Sequence, residues 1–259
     1  MKNDRFHIAE FSKRTIYHSP QTPGYTCWVS IWNMPDGNAM ISFTQATGPL
    51  EGRPKAPPEI RKRLNWPPQT PVETAGVGES YDMTGLDLAN VHLRTADGGN
   101  TWQQVSADPF RSCMNYCAGE AETALPDGTI LRGVFGFYLP YDEVPQTGYI
   151  QRSTDGSKTW GPPEMVLDPK SHSYWPRRIR VLGDGRVIIT GAMAEAPAGS
   201  KTRREYSRLM RPVLLVSEDD GKTWLEPVEV LPEALRKPPY PGEEYDAAEL
   251  PNGDLLLVF

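Results

Sequence analysis

The chain has 259 residues with 26 Pro, 23 Gly and 10% aromatic residues and shows little helical periodicity, a composition of many short strands joined by turns in which helix is minor. Its 27 Lys and Arg stand against 33 Asp and Glu, a net charge of −6, and no basic run is long enough to follow a phosphate backbone, which argues against nucleic acid as partner. No apolar run approaches membrane-spanning length.

The first residues, Met1 to Ile8, lack the apolar core of a signal peptide, so a cytoplasmic protein is expected if this start is genuine. The next signal is the turn tetrapeptide Met34-Pro35-Asp36-Gly37. It recurs as Leu125-Pro126-Asp127-Gly128, Leu182-Gly183-Asp184-Gly185 and Leu250-Pro251-Asn252-Gly253, each followed by a strand such as Val187 to Thr190 or Leu255 to Phe259. These predict hairpins between the first two strands of a repeating unit.

An octapeptide is offset from these turns: Thr95-Ala96-Asp97-Gly98-Gly99-Asn100-Thr101-Trp102, Ser153-Thr154-Asp155-Gly156-Ser157-Lys158-Thr159-Trp160 and Ser217-Glu218-Asp219-Asp220-Gly221-Lys222-Thr223-Trp224. Its Ser or Thr hydroxyl and Asp carboxylate can accept nearby backbone N–H groups, Gly supplies a positive φ, and Thr-Trp restarts a strand with its indole inward. The pattern predicts a structural turn joining third and fourth strands.

The octapeptides recur roughly every 60 residues, which suits a four-stranded propeller blade with generous loops. The expected architecture is therefore all-β, a single incomplete propeller domain over residues 1–259. Blade one covers about 25–106 with an insertion over 47–90, blade two about 113–168, blade three about 171–231, and a partial fourth begins near 243. Three and a half blades cannot close a ring, so the expectation is the N-terminal portion of a longer protein. The insertion carries Arg61-Lys62-Arg63, Trp66 and the acids Glu73, Glu79, Asp82 and Asp87, and is expected to be a functional or mobile loop. Cys27, Cys113 and Cys117 have neither redox nor metal-ligand spacing and are expected to be buried thiols, with a Cys113–Cys117 disulfide an open alternative.

A propeller's ligand face is built from the ends of its innermost strands. Aligning those strands on the hairpin glycines brings into register Trp28-Val29-Ser30, Gly119-Glu120-Ala121, Pro176-Arg177-Arg178 and Glu244-Tyr245-Asp246. Trp28, Glu120, Glu122, Tyr174, Arg177, Arg178, Tyr245 and Asp246 are the candidate binding residues. Strand alternation lets only one of Arg177 and Arg178 face the channel, and pairing of either with Glu120 or Glu122 is an open alternative. Glu244 stands in the same register, and the residues around it are equally consistent with a solvated carboxylate in the Pro-rich approach Pro238 to Glu243.

The octapeptide, Ser/Thr-x-Asp-x-Gly-x-Thr-Trp, resembles the Asp box or BNR repeat of the sialidase (neuraminidase) superfamily, and residues 15–259 look like the first part of its six-bladed propeller. Glu244-x-x-x-x-Glu249-Leu250 is similar to the sialidase segment whose first glutamate is the base for a tyrosine nucleophile, so the resemblance implies that role for Glu244. It implies an acid/base aspartate in the insertion, with Asp82 the candidate. The family's first arginine has no counterpart, since Tyr25 to Ile31 contains none. The implied function is a sialidase-like exo-glycosidase acting on a terminal, acidic sugar of a glycoconjugate, with no metal or cofactor. The alternative is a non-catalytic carbohydrate-binding or interaction propeller.

Overall fold

Strand pairing in this chain follows its turn chemistry. The computed structural model describes residues 11–22, 24–49, 51–64, 82–111, 121–136, 145–201, 203–240 and 244–259. Sheet one contains β1 (Gly24–Asn33), β2 (Ala39–Thr47), β3 (Asp87–Thr95) and β4 (Gln103–Phe110). Sheet two contains β5 (Ala121–Ala124), β6 (Ile130–Phe135), β7 (Gly148–Ser153) and β8 (Glu164–Met165). Sheet three contains β9 (Ser173–Val181), β10 (Val187–Ala194), β11 (Arg211–Ser217) and β12 (Val228–Glu229), and β13 (Asp246–Glu249) pairs with β14 (Leu255–Val258). Among the described residues every pairing is antiparallel and every sheet runs in chain order. Among the described residues the helices are α1 (Pro58–Leu64), α2 (Arg203–Leu209) and a short 3-10 turn, Glu233–Leu235.

All four tetrapeptides close the first hairpin of their sheet through the same two bonds. Leu125 N–H donates to Thr129 O at 2.8 Å and Gly128 N–H to Leu125 O at 2.9 Å, with matching pairs at Met34, Leu182 and Leu250. The glycines take φ of 80° to 91°, which a side chain would oppose.

The octapeptides join the third and fourth strands. In the second, Asp155 Oδ1 accepts Thr159 N–H at 2.9 Å, Oδ2 accepts the Thr159 hydroxyl at 2.6 Å, and Ser153 Oγ accepts Ser157 N–H at 2.9 Å. The first and third repeat this network. These bonds hold Asp97, Asp155 and Asp219 at about 2, well below their ordinary 3.8. Two successive left-handed residues are needed at each tip, so Ser157 and Asp220 adopt φ of 69° and 60° beside single glycines.

Successive sheets pack face to face. Trp32, Met34 and Met40 of sheet one meet Ile130 and Trp160 of sheet two. A larger cluster joins Ala121, Leu131 and Ile150 to Ile179, Ile189 and Leu215 across sheets two and three, and Leu182, Ile188 and Leu214 receive Ala247, Leu255 and Leu257. Sheet two approaches β9 so closely that a Cβ on Gly148 would lie 2.4 Å from Pro176 Cδ and 2.5 Å from Tyr174 O. The edge strands β1, β5, β9 and β13 converge on a cavity of about 590 Å³ whose walls include Ile31, Thr123, Val181 and Ala248. The insertion of sheet one holds regular structure: α1 packs through Ile60 and Leu64 with Tyr206 of α2, whereas Trp66, Glu73 and Glu79 lie outside the described residues.

Candidate functional site

β9 is an edge strand with a break in its pairing. Thr190 pairs with Arg178 and Gly191 with Pro176, so Arg177 is the extra residue of a β-bulge. Proline is tolerated there because an edge strand has no need of its missing N–H, and a bulge re-aims the side chain it carries. The Arg177 guanidinium carbon lies 5.0 Å from the Trp175 ring centroid and 5.5 Å from that of Phe135. The two rings meet edge to face at 5.3 Å and 71°. They belong to the apolar cluster formed by Ile60 and Leu64 of α1 with Tyr206 of α2, so the two long connections buttress the rings beside the cation.

Glu244 stands two residues before β13, with its Oε1 3.0 Å from Arg177 Nη2. The Arg177 side chain is 9% exposed and that of Glu244 is 71% exposed. A solvent-open carboxylate is thus held by a buried, permanently charged donor. Such a group can accept a proton or stabilise positive charge developing on a bound molecule.

The remaining candidates separate. Arg178 is half-buried and donates from Nη1 to Arg177 O at 2.9 Å. Trp28 is half-buried on β1 at a bulge between Cys27 and Val29, with φ of 50°, an uncommon conformation for a bulky residue. Cys27 beside it is a half-buried thiol, and Cys113, Cys117 and Glu120 fall outside the described residues.

Asp82 is fully buried and serves the fold of the insertion. Its Oδ2 accepts Ala56 N–H at 2.9 Å and Arg61 Nη1 at 3.2 Å, while Oδ1 accepts Thr84 N–H at 3.0 Å. A carboxylate closed from solvent and held by three donors staples the insertion.

Glu122, a candidate binding residue, lines the cavity between the inner strands and also pairs across the sheets. It is buried between sheets, with Oε1 3.2 Å from His92 Nε2 and both side chains at 0% exposure. Ser106 Oγ donates to Ser157 O at 2.6 Å, so His92 Nδ1 is the donor in its 3.1 Å contact with Ser106 Oγ. The Glu122–His92 contact then carries one further proton, and the pair stitches sheet one to sheet two.

Tyr174 and Tyr245 are buried rather than turned to a ligand. Burial pushes both phenols up, with the neighbouring Tyr245 adding to the effect on Tyr174. The Tyr245 hydroxyl donates to Val213 O and receives Gly191 N–H at 3.4 Å. Asp246 answers Arg180 across β9 and β13, with Nε to Oδ1 at 3.0 Å.

The structure therefore brings together Glu244 and Arg177, and it shows Asp82, Glu122, Tyr174, Tyr245 and Asp246 in packing and pairing contacts. Phe135, Trp175 and His92 were missed by sequence reasoning. Trp175 lies two residues before Arg177, a spacing that hints at shared packing, whereas nothing local marks Phe135 or His92. Among the described residues no three His, Cys, Asp or Glu side chains are grouped to hold a metal ion, and no helix is long and apolar enough to cross a membrane.

No family model and no curated protein matches the chain. Solved structures do. A leech intramolecular trans-sialidase is 10% identical with a TM-score of 0.51, over 95% of this chain and 49% of its own. A Dyadobacter fermentans protein of unknown function is 19% identical with a TM-score of 0.49, over 90% of this chain and 61% of its own. The GH93 α-L-arabinofuranosidase of Fusarium graminearum is 16% identical with a TM-score of 0.46, over 95% of this chain and 58% of its own. The chain thus spans about half to three-fifths of these proteins. At such identities the likeness to the leech enzyme is one of fold: antiparallel sheets arranged as in a sialidase-like β-propeller.

Proposed function

We propose that this chain carries part of the active site of a sialidase-like exo-glycosidase that removes a terminal sugar from a glycoconjugate. One observation carries the reading: an exposed glutamate at the start of an inner edge strand, oriented by a buried arginine. Ionised Glu244 acts as the base that accepts the proton of the attacking nucleophile as the glycosidic bond breaks.

A second reading, a carbohydrate-binding propeller without turnover, is favoured by the buried position of Asp82, which leaves the proton-donor role unfilled by the residue expected to hold it. A panel of fluorogenic aryl glycosides, anionic and neutral, separates the two. Hydrolysis of any member that is abolished by Glu244→Gln supports the enzyme. Saturable binding of glycans with no hydrolysis supports the binding module.

A further inference from the structure

We infer that Arg177 is a positioning residue, acting through Glu244 and not on the substrate. This rests on the catalytic reading of Glu244, and it deepens that reading by removing Arg177 from the groups that select an acidic sugar. Depth is the first argument. A molecule arriving from solvent meets the 71% exposed Glu244 before the 9% exposed arginine behind it. Orientation is the second. Two ring faces at 5.0 and 5.5 Å and the bulge in β9 restrict the guanidinium, and a fixed planar donor selects one carboxylate geometry from the many an exposed Glu side chain samples.

Charge is the third argument. With Glu244 at 3.0 Å the pair presents no net charge to a ligand, so any preference for an anionic sugar must come from another cation. A chain of contacts results, from α1 and α2 to Trp175 and Phe135, then to Arg177, then to Glu244.

The test uses Arg177→Met, which keeps the buried stem and removes the charge, and Arg177→Lys, which keeps the charge and loses the planar fork. On whichever glycosides the protein hydrolyses, Arg177→Met is expected to lower kcat by about 10- to 100-fold with KM changed less than about twofold, equally for neutral and anionic substrates. Arg177→Lys recovers part of the loss. A KM raised selectively for anionic substrates with kcat unchanged overturns the inference. A crystal structure of Arg177→Met decides it without any substrate: the Glu244 side chain loses its single orientation while Trp175 and Phe135 stay in place. A Glu244 that keeps its orientation overturns the inference. Absence of turnover in the wild type counts against the glycosidase reading alone, since the crystallographic result still decides the role of Arg177. Phe135→Leu serves should the Met variant not fold; it leaves both charges, and kcat falls several-fold at constant KM, whereas an unchanged kcat overturns the link.

Discussion

Replacing Glu122 by leucine removes a buried carboxylate and leaves the His92 imidazole at 0% exposure facing an apolar side chain. The proton count around His92 makes this costly, because Nδ1–H is committed to Ser106 and Nε2 has no other acceptor among its contacts. Breaking one side of a buried pair costs about 3–5 kcal/mol. For 259 residues at about 2.1 cal/mol/K each, the unfolding entropy is about 0.5 kcal/mol/K, so the melting temperature should fall by about 6–9 °C. Differential scanning calorimetry near neutral pH measures it. The double variant Glu122→Leu with His92→Phe should recover most of the loss. It removes both polar groups yet keeps a ring between Trp32 and Trp160, which lie 6.4 and 5.8 Å from His92 by centroid. An unchanged melting temperature in the single variant together with lost glycan binding would refute the reasoning and return Glu122 to the ligand face. A double variant that only sums two single losses would refute the pairing.

Two further predictions concern the scaffold. Asp155 sits at about 2 when folded, held there first by the Thr159 hydroxyl and then by the Thr159 N–H, against 3.8 ordinarily. A lowered folded value means that its stabilisation is complete above the unfolded value and disappears as pH falls through about 2. The urea midpoint of the wild type should therefore drop more steeply on acidification across this window than that of Asp155→Asn, and parallel curves would contradict the network. Gly148→Ala forces a Cβ to 2.4 Å from Pro176 Cδ and 2.5 Å from Tyr174 O. It should cost about 1–3 kcal/mol by overpacking, whereas Gly161→Ala, whose nearest neighbour is Arg152 O at 3.5 Å, should cost much less by the same denaturant titration.

The strand pairing was legible because it is locally encoded. Tetrapeptides with a glycine at their fourth position and octapeptides with one Asp accepting from one Thr make the same short-range bonds wherever they occur. Glu244 and Arg177 were legible by their offset from those turns, but their contact was not, since it depends on a bulge that sequence alternation does not reveal. The pairing of Glu122 was not legible because β5 has only four residues, and neighbouring sheets bury both Ala121 and Glu122 where simple alternation would bury one. The setting of Asp82 was hidden for another reason. Its partners, Ala56 and Arg61, are brought to it by the folding of the insertion, a long-range event with no local signature.

The central claim is that Glu244 is the reacting carboxylate, and the ratio of kcat/KM between wild type and Glu244→Gln on the best-hydrolysed aryl glycoside tests it most directly. The account predicts a loss of about 10²–10⁴-fold at an unchanged melting temperature. A variant that keeps its rate within about twofold would contradict the account and remove Glu244 from the chemistry.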